Sequence, residues 1–158
     1  MGWCGAAPLL LVRAWNHKIK EADAYLVITP EYNHSVPGVL KNAIDSVWVA
    51  FPFRNKPIVA VGYSGGIAGG VRAIEHLAQI AIQAEMVPLR TAVVIPQVAT
   101  AFDGDGRPVN PVTDTSLRVA ALDDLAWWSA APMERGPAAS YPRRVPRPGS
   151  HRRQRDRR

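Results

Sequence analysis

Ala24-Tyr25-Leu26-Val27-Ile28-Thr29-Pro30-Glu31-Tyr32-Asn33-His34-Ser35-Val36-Pro37-Gly38 is the stretch that decides how the chain folds. Its first six residues are continuously apolar and partly β-branched, which suits a strand covered on both faces, as in a parallel sheet. Pro30 stops the run. In the polar loop that follows, Ser35 can cap a helix whose first turn holds Pro37, where a missing N–H costs nothing. Val36, Val39, Leu40, Ala43, Ile44 and Val47 then recur at 3- and 4-residue spacing and give that helix one apolar face.

The same alternation repeats downstream. Pro57 to Tyr63 and Thr91 to Pro96 read as two further buried strands. Between them Gly69-Gly70 opens a helix that runs to about Glu85, with Val71, Ile74, Leu77, Ala78, Ala81 and Ile82 as its buried stripe. A last helix from about Asp114 to Trp128 carries Leu117, Ala120, Ala121, Leu125 and Trp128. Strand and helix in alternation is the α/β signature, with right-handed crossovers.

In an open parallel sheet, ligands sit beyond the carboxyl ends of the strands. Two such loops here are unusual in composition: Thr29 to Gly38, and Tyr63-Ser64-Gly65-Gly66-Ile67-Ala68-Gly69-Gly70. If their strands are neighbours, the loops lie side by side. One offers an aromatic ring with amide and hydroxyl groups, the other a backbone bare of side chains. A planar heteroaromatic ring suits such a slot, with backbone N–H groups for its nitrogens and carbonyls and Tyr32 against an edge or face. The second loop is no Walker A sequence, since no Gly-Lys-Ser/Thr follows, and it lacks Gly-x-Gly-x-x-Gly spacing.

The 158 residues carry a formal net charge of +6, unevenly placed. Residues 134–158 hold nine arginines against Glu134 and Asp156, so the remainder of the chain is close to neutral at −1. A basic tail, rather than a basic body, argues against nucleic-acid binding by the folded part. The tail itself reads as disordered and solvated, too poor in apolar residues to offset its ordering entropy. The longest apolar run, Ala6 to Val12, is far short of the ~20 residues that cross a bilayer. With one cysteine, Cys4, and four scattered histidines, the chain reads as cytoplasmic and metal-free. The turn Asp103-Gly104-Asp105-Gly106 lacks the remaining ligands of a calcium loop.

Thr29 through Asp45 resembles the signature of the NADPH-dependent FMN reductase family, flavodoxin-like relatives of chromate, quinone and azo-dye reductases. The likeness continues through Asn55 to Gly66, Gly69-Gly70, Val71 to Leu77 and Met86 to Arg90, and fades by about Ser129. It implies a flavodoxin-like three-layer α/β sandwich, with a domain over 23–133 between an atypical leader and approach helix (1–22) and the tail (134–158). It also implies an NAD(P)H-dependent FMN oxidoreductase, in which hydride passes from nicotinamide to FMN and then to a small electron acceptor. On that likeness Pro30, Glu31, Tyr32 and Asn33 line the isoalloxazine, Ser35, Val36 and Pro37 continue the wall, and Ser64, Gly65 and Gly66 flank the ring. No side chain is required as general acid or base. His34 is a candidate for substrate contact or a plain loop histidine, and Glu75 and His76 read as structural. The aromatics Trp48, Phe51 and Phe53 suggest a homodimer.

Both ends depart from the family pattern, as a shifted reading frame would make them. No Gly-Ser-x-Arg-x-x-Ser-like phosphate loop is present, and the ~20 residues before the first strand are too few for a further strand–helix–strand unit. The expectation is an N-terminally incomplete domain with weakened FMN binding. The rival expectation is a cofactor-free flavodoxin-like fragment.

Overall fold

The computed structural model describes residues 6–47, 50 and 52–130. Helix α1 (Ala6–Glu21) leads into strand β1 (Tyr25–Pro30), then α2 (Gly38–Asp45), β2 (Pro57–Tyr63), α3 (Val71–Gln83) and β3 (Val87–Ile95). A final helical stretch combines α4 (Pro111–Thr115), a π-wound segment (Ser116–Asp123) and α5 (Asp124–Ala130). The three strands form one parallel sheet in the order β1-β2-β3. Tyr25 pairs with Ile58 and Pro30 with Tyr63, so β1 and β2 end level and their following loops emerge together.

Helices cover both faces of the sheet. On one face Ile19 of α1, Ile44 of α2, and Leu77 and Ala81 of α3 pack over Ile58 with Phe53 and Met86. On the other, Ala121, with Leu117 and Leu125, packs over Val59, Val61, Val93 and Ile95. The middle strand is thus sealed between two apolar layers, as its uninterrupted hydrophobicity requires. Strand β1 departs from the expected cover on both faces. Leu26 and Ile28 are 42% and 63% exposed, because among the described residues the last helix spans only β2 and β3.

Element ends differ from the sequence pattern where local chemistry overrides periodicity. Strand β3 begins at Val87 instead of Thr91 and takes Pro88 into its length. A register shift between Ile58 and Ala60 absorbs the extra residues on β3. Helix α3 stops at Gln83 because Glu85 takes a left-handed φ of 61°. The Glu85 N–H then donates to the Ile82 carbonyl at 3.1 Å and the Met86 N–H to that of Ala81 at 2.9 Å, a Schellman closure. The last helix starts at Pro111 under an Asn110 cap, whose side chain accepts from the Val112 N–H at 2.9 Å. Eight residues of π winding rotate its stripe, so Trp128 ends exposed, edge-on to Trp127 at 5.2 Å.

Helix α1 is tethered mainly by side chains reaching backbone. The Trp15 indole donates to the Ala43 carbonyl at 2.7 Å and the Tyr25 hydroxyl to that of Ile19 at 2.8 Å. The Lys56 ammonium donates to the Ile19 and Lys20 carbonyls, both at 2.9 Å, capping the helix end with positive charge. Burial pushes the Tyr25 phenol up to about 12. Phe53 meets the Tyr25 ring at 5.4 Å within the core, so it is no part of an exposed aromatic cluster. Trp48, Phe51 and the arginine-rich tail lie outside the described residues.

Gly69 and Gly70 take φ of 62° and 87° and cross directly over the strand ends. A Cβ on Gly70 would stand 2.4 Å from the Tyr63 nitrogen, whereas one on Gly65 meets nothing within 4 Å. Gly70→Ala is therefore expected to cost about 3 kcal/mol, summing overpacking and left-handed strain. Gly65→Ala is expected to stay within about 0.5 kcal/mol; urea unfolding measures both. The Tyr25 phenol gives a second expectation. Its folded pKa is raised, so its share of stability is complete below pH ~10 and is lost as pH climbs toward about 12. Tyr25→Phe is less stable than the parent at pH 8, and the gap in urea midpoint narrows by pH 11.

Candidate functional site

The loop after β1 folds back as a two-residue hairpin. Tyr32 and Ser35 exchange both backbone hydrogen bonds, at 3.0 and 3.1 Å, around Asn33 and His34. Both central residues have positive φ, 48° and 70°, the pattern of a type I′ turn. Asn tolerates that region well; His tolerates it at a cost, and such strain collects at functional sites. Among the described residues no group accepts from the Asn33 or His34 N–H, both residues are exposed, and Tyr32 beside them is 61% exposed, which leaves the two amides open to a ligand.

The remaining residues of this loop turn inward. The Glu31 N–H donates to the Tyr63 carbonyl at 3.0 Å, stitching the hairpin to the end of β2. Its carboxylate, 7% exposed, accepts from the Arg72 N–H at 3.2 Å and lies 2.7 Å from the Arg72 guanidinium. Helix α3 begins at a glycine cap with no side chain to offer, so Glu31 supplies the negative charge its N-terminus favours. The Ser35 hydroxyl does not cap α2. It sits 2.8 Å from His76 Nδ1, because closing the hairpin points it toward α3. Pro37 itself occupies the α2 cap position and is buried, and Val36 packs on the core, while Pro30 ends β1.

Alongside runs the glycine loop. Ser64 anchors it from within: its hydroxyl donates to the Gly66 carbonyl at 3.1 Å and accepts from the Gly69 N–H at 2.9 Å. The Gln97 N–H donates to the Gly66 carbonyl at 3.0 Å and the Val98 N–H to that of Ser64 at 3.1 Å, tying this loop to the turn after β3. Gly65 and Gly66 are left exposed with open space at each Cβ position, and Ile67 beside them is 88% exposed. A cleft of about 360 Å³ continues past the end of β3, lined by Ile95, Gln97, Thr100, Asn110 and Thr113 among others. A larger groove, about 660 Å³, lies between the far ends of α2 and α3, away from these loops.

The structure thus brings Pro30, Glu31, Tyr32, Asn33 and Ser35 beside Ser64, Gly65 and Gly66 and turns Val36 and Pro37 away. Its exposed groups are amides, the Tyr32 ring, the Asn33 carboxamide and the His34 imidazole. That set can hydrogen-bond and stack on a flat polar ring. Among the described residues no group of three His, Cys, Asp or Glu could hold a metal ion. Sequence reading missed Arg72 and gave His76 only a structural part. Both lie about 40 positions from the loop residues they bind, and a helical pattern alone does not show which loop faces it. Glu31→Ala is expected to lower stability by about 2 kcal/mol, the usual loss when a charged hydrogen-bonding partner is removed, with Glu31→Gln recovering part in urea unfolding.

Comparison with known proteins gives this arrangement a family. The family model for NADPH-dependent FMN reductases matches residues 8–100. An NAD(P)H-dependent FMN reductase of Pseudomonas aeruginosa is 43% identical over 101 residues, 61% of this chain and 54% of that protein. A quinone reductase of Escherichia coli is 44% identical over 75 residues, 45% of this chain and 39% of that protein. The chain thus spans about half or less of these relatives. Among solved structures, a flavoenzyme NAD(P)H:(acceptor) oxidoreductase from Paracoccus denitrificans matches with a TM-score of 0.66 at 29% identity, covering 76% of this chain and 68% of that one. The fold is flavodoxin-like, and the chain belongs to the NADPH-dependent FMN reductase family.

Proposed function

We propose that this chain is the flavin-ring-binding part of an NAD(P)H-dependent FMN oxidoreductase. The observation that carries the reading is the pairing of two loops at level strand ends, one with outward amides at Asn33 and His34, the other bare at Gly65 and Gly66. The residues fit a flavin ring on their own chemistry: backbone and carboxamide donors, an aromatic face and open backbone. Bound FMN supplies the hydride chemistry; what falls to the protein is orientation and exclusion of water.

We assign the following division of labour. Asn33 and His34 N–H groups and the Asn33 carboxamide address the polar edge of the ring. Tyr32 stands beside it as an aromatic wall. Gly65 and Gly66 admit the ring to backbone contact, and Ser64 fixes their path through two hydrogen bonds. Glu31 and Ser35 serve from behind, through Arg72 and His76, rather than by touching the ring.

The relatives' names support this reading: a quinone reductase, an FMN reductase and a 2-hydroxy-1,4-benzoquinone reductase of Burkholderia, 33% identical over 124 residues. A homodimer in the cytoplasm belongs to the same proposal, and no described helix is long and apolar enough to cross a membrane.

Titration of the purified chain with FMN tests the proposal. Expected are quenching of flavin fluorescence on binding, release of the flavin on denaturation, and NADH or NADPH oxidation with a small quinone. Gly65→Val is expected to weaken FMN binding at least tenfold, because its side chain fills the slot, while the unfolding midpoint stays close to the parent's. A chain that leaves excess FMN unbound defeats the proposal.

A further inference from the structure

Ser35 and His76 are 41 positions apart in sequence and 2.8 Å apart in the fold. Arg72 lies one turn earlier on the same helix and binds Glu31. Two side chains at i and i+4 of α3 therefore grip one hairpin at both ends. Arg72 holds the residue that enters it and His76 the residue that closes it. Helix α3 packs on the core through Ala73, Leu77 and Ala81, so these two polar side chains are spare to its own burial.

What they oppose is strain. Asn33 and His34 are consecutive non-glycine residues in the left-handed region, at φ 48° and 70°. Such conformations persist only where the surroundings over-determine them. The two backbone bonds between Tyr32 and Ser35 close the turn against that strain, and they hold only while its two ends are anchored to other elements. On the entering side the anchor is Glu31, through Tyr63 and Arg72. On the closing side the polar contact to another element is Ser35 to His76.

We propose that Arg72 and His76 are positioning residues that hold the Asn33–His34 amides in their ligand-facing orientation, with His76 as the latch on the closing side. The proposal rests on reading this hairpin as the wall of the flavin slot. A hairpin that spends part of its time displaced binds with an affinity reduced by its competent fraction.

The test uses the full chain and free FMN as probe, with hydrogen exchange of the Ser35 amide as an independent readout. In His76→Ala the FMN dissociation constant is expected to rise about 3- to 10-fold, the loss that one net side-chain hydrogen bond gives. In the flavin-free protein the Ser35 amide exchanges faster. His76→Asn, whose carboxamide reaches the position of the imidazole Nδ1, recovers most of both effects; a purely packing role would not be rescued this way. Ser35→Ala breaks the same contact from the exposed loop, so it carries the test should His76→Ala fail to fold, and the double variant loses no more than either single one. Unchanged Ser35 exchange in His76→Ala, or effects that simply add in the double variant, overturn the proposal. If the parent binds no FMN while Ser35 exchange still quickens in the variant, the flavin reading falls and the latch stands.

Discussion

The two loops at the carboxyl ends of the strands depend on one close approach, backbone against backbone, where Gly70 crosses Gly62. A Cβ on Gly62 would stand 2.7 Å from the Gly70 carbonyl oxygen, and one on Gly70 would stand 2.6 Å from the Gly62 carbonyl carbon. With two hydrogens at the crossing, the chain can leave β2, form the bare loop, and return to start α3 flush against the strand ends. Side chains there would lift the helix off the sheet. That lift would carry away the Glu31 and Ser35 anchors, since both end on the first two turns of α3.

The site is thus a strained element held by a rigid one. Helix α3 is welded to the sheet by Leu77, Ala73 and Ala81, all essentially inaccessible to solvent, and its first turn is neutralised by a carboxylate borrowed from the neighbouring loop. Against that rigid face the hairpin presents the two amides that its unfavourable dihedrals would otherwise let turn aside. Glu31 faces inward and serves the helix, Ser35 reaches back to His76, and the turn between them stays exposed.

The parallel α/β order, the three strands and the two loops were legible in sequence because each follows from short-range pattern: apolar runs, 3.6-residue stripes and glycine pairs. Pro57–Tyr63 was read at its true ends, since Lys56 and Ser64 bracket an unbroken apolar run. The apolar run of β3 shows only from Thr91, whereas the strand starts at Val87; Pro88 fits because it lies in an edge strand, where its missing N–H can face away from the ladder. Trp128 was placed on the buried stripe because π winding leaves no mark in composition. The inward turn of Val36 and Pro37 and the partners of Ser35 and Glu31 were beyond reach, being set by pairings across about 40 residues.

The tethering of α1 has a consequence for how the fold comes apart. Among its described side chains only Ile19 is buried, Val12 packs partly exposed on the same core, and Trp15, Tyr25 and Lys56 add bonds to carbonyls. Such a helix is a separate cooperative unit of low local stability, able to open while the sheet and α3 stay closed. Its departure would wet the apolar hollow of about 300 Å³ beneath it, lined by Tyr25, Val27 and Phe53, before any residue of the two loops lost a partner.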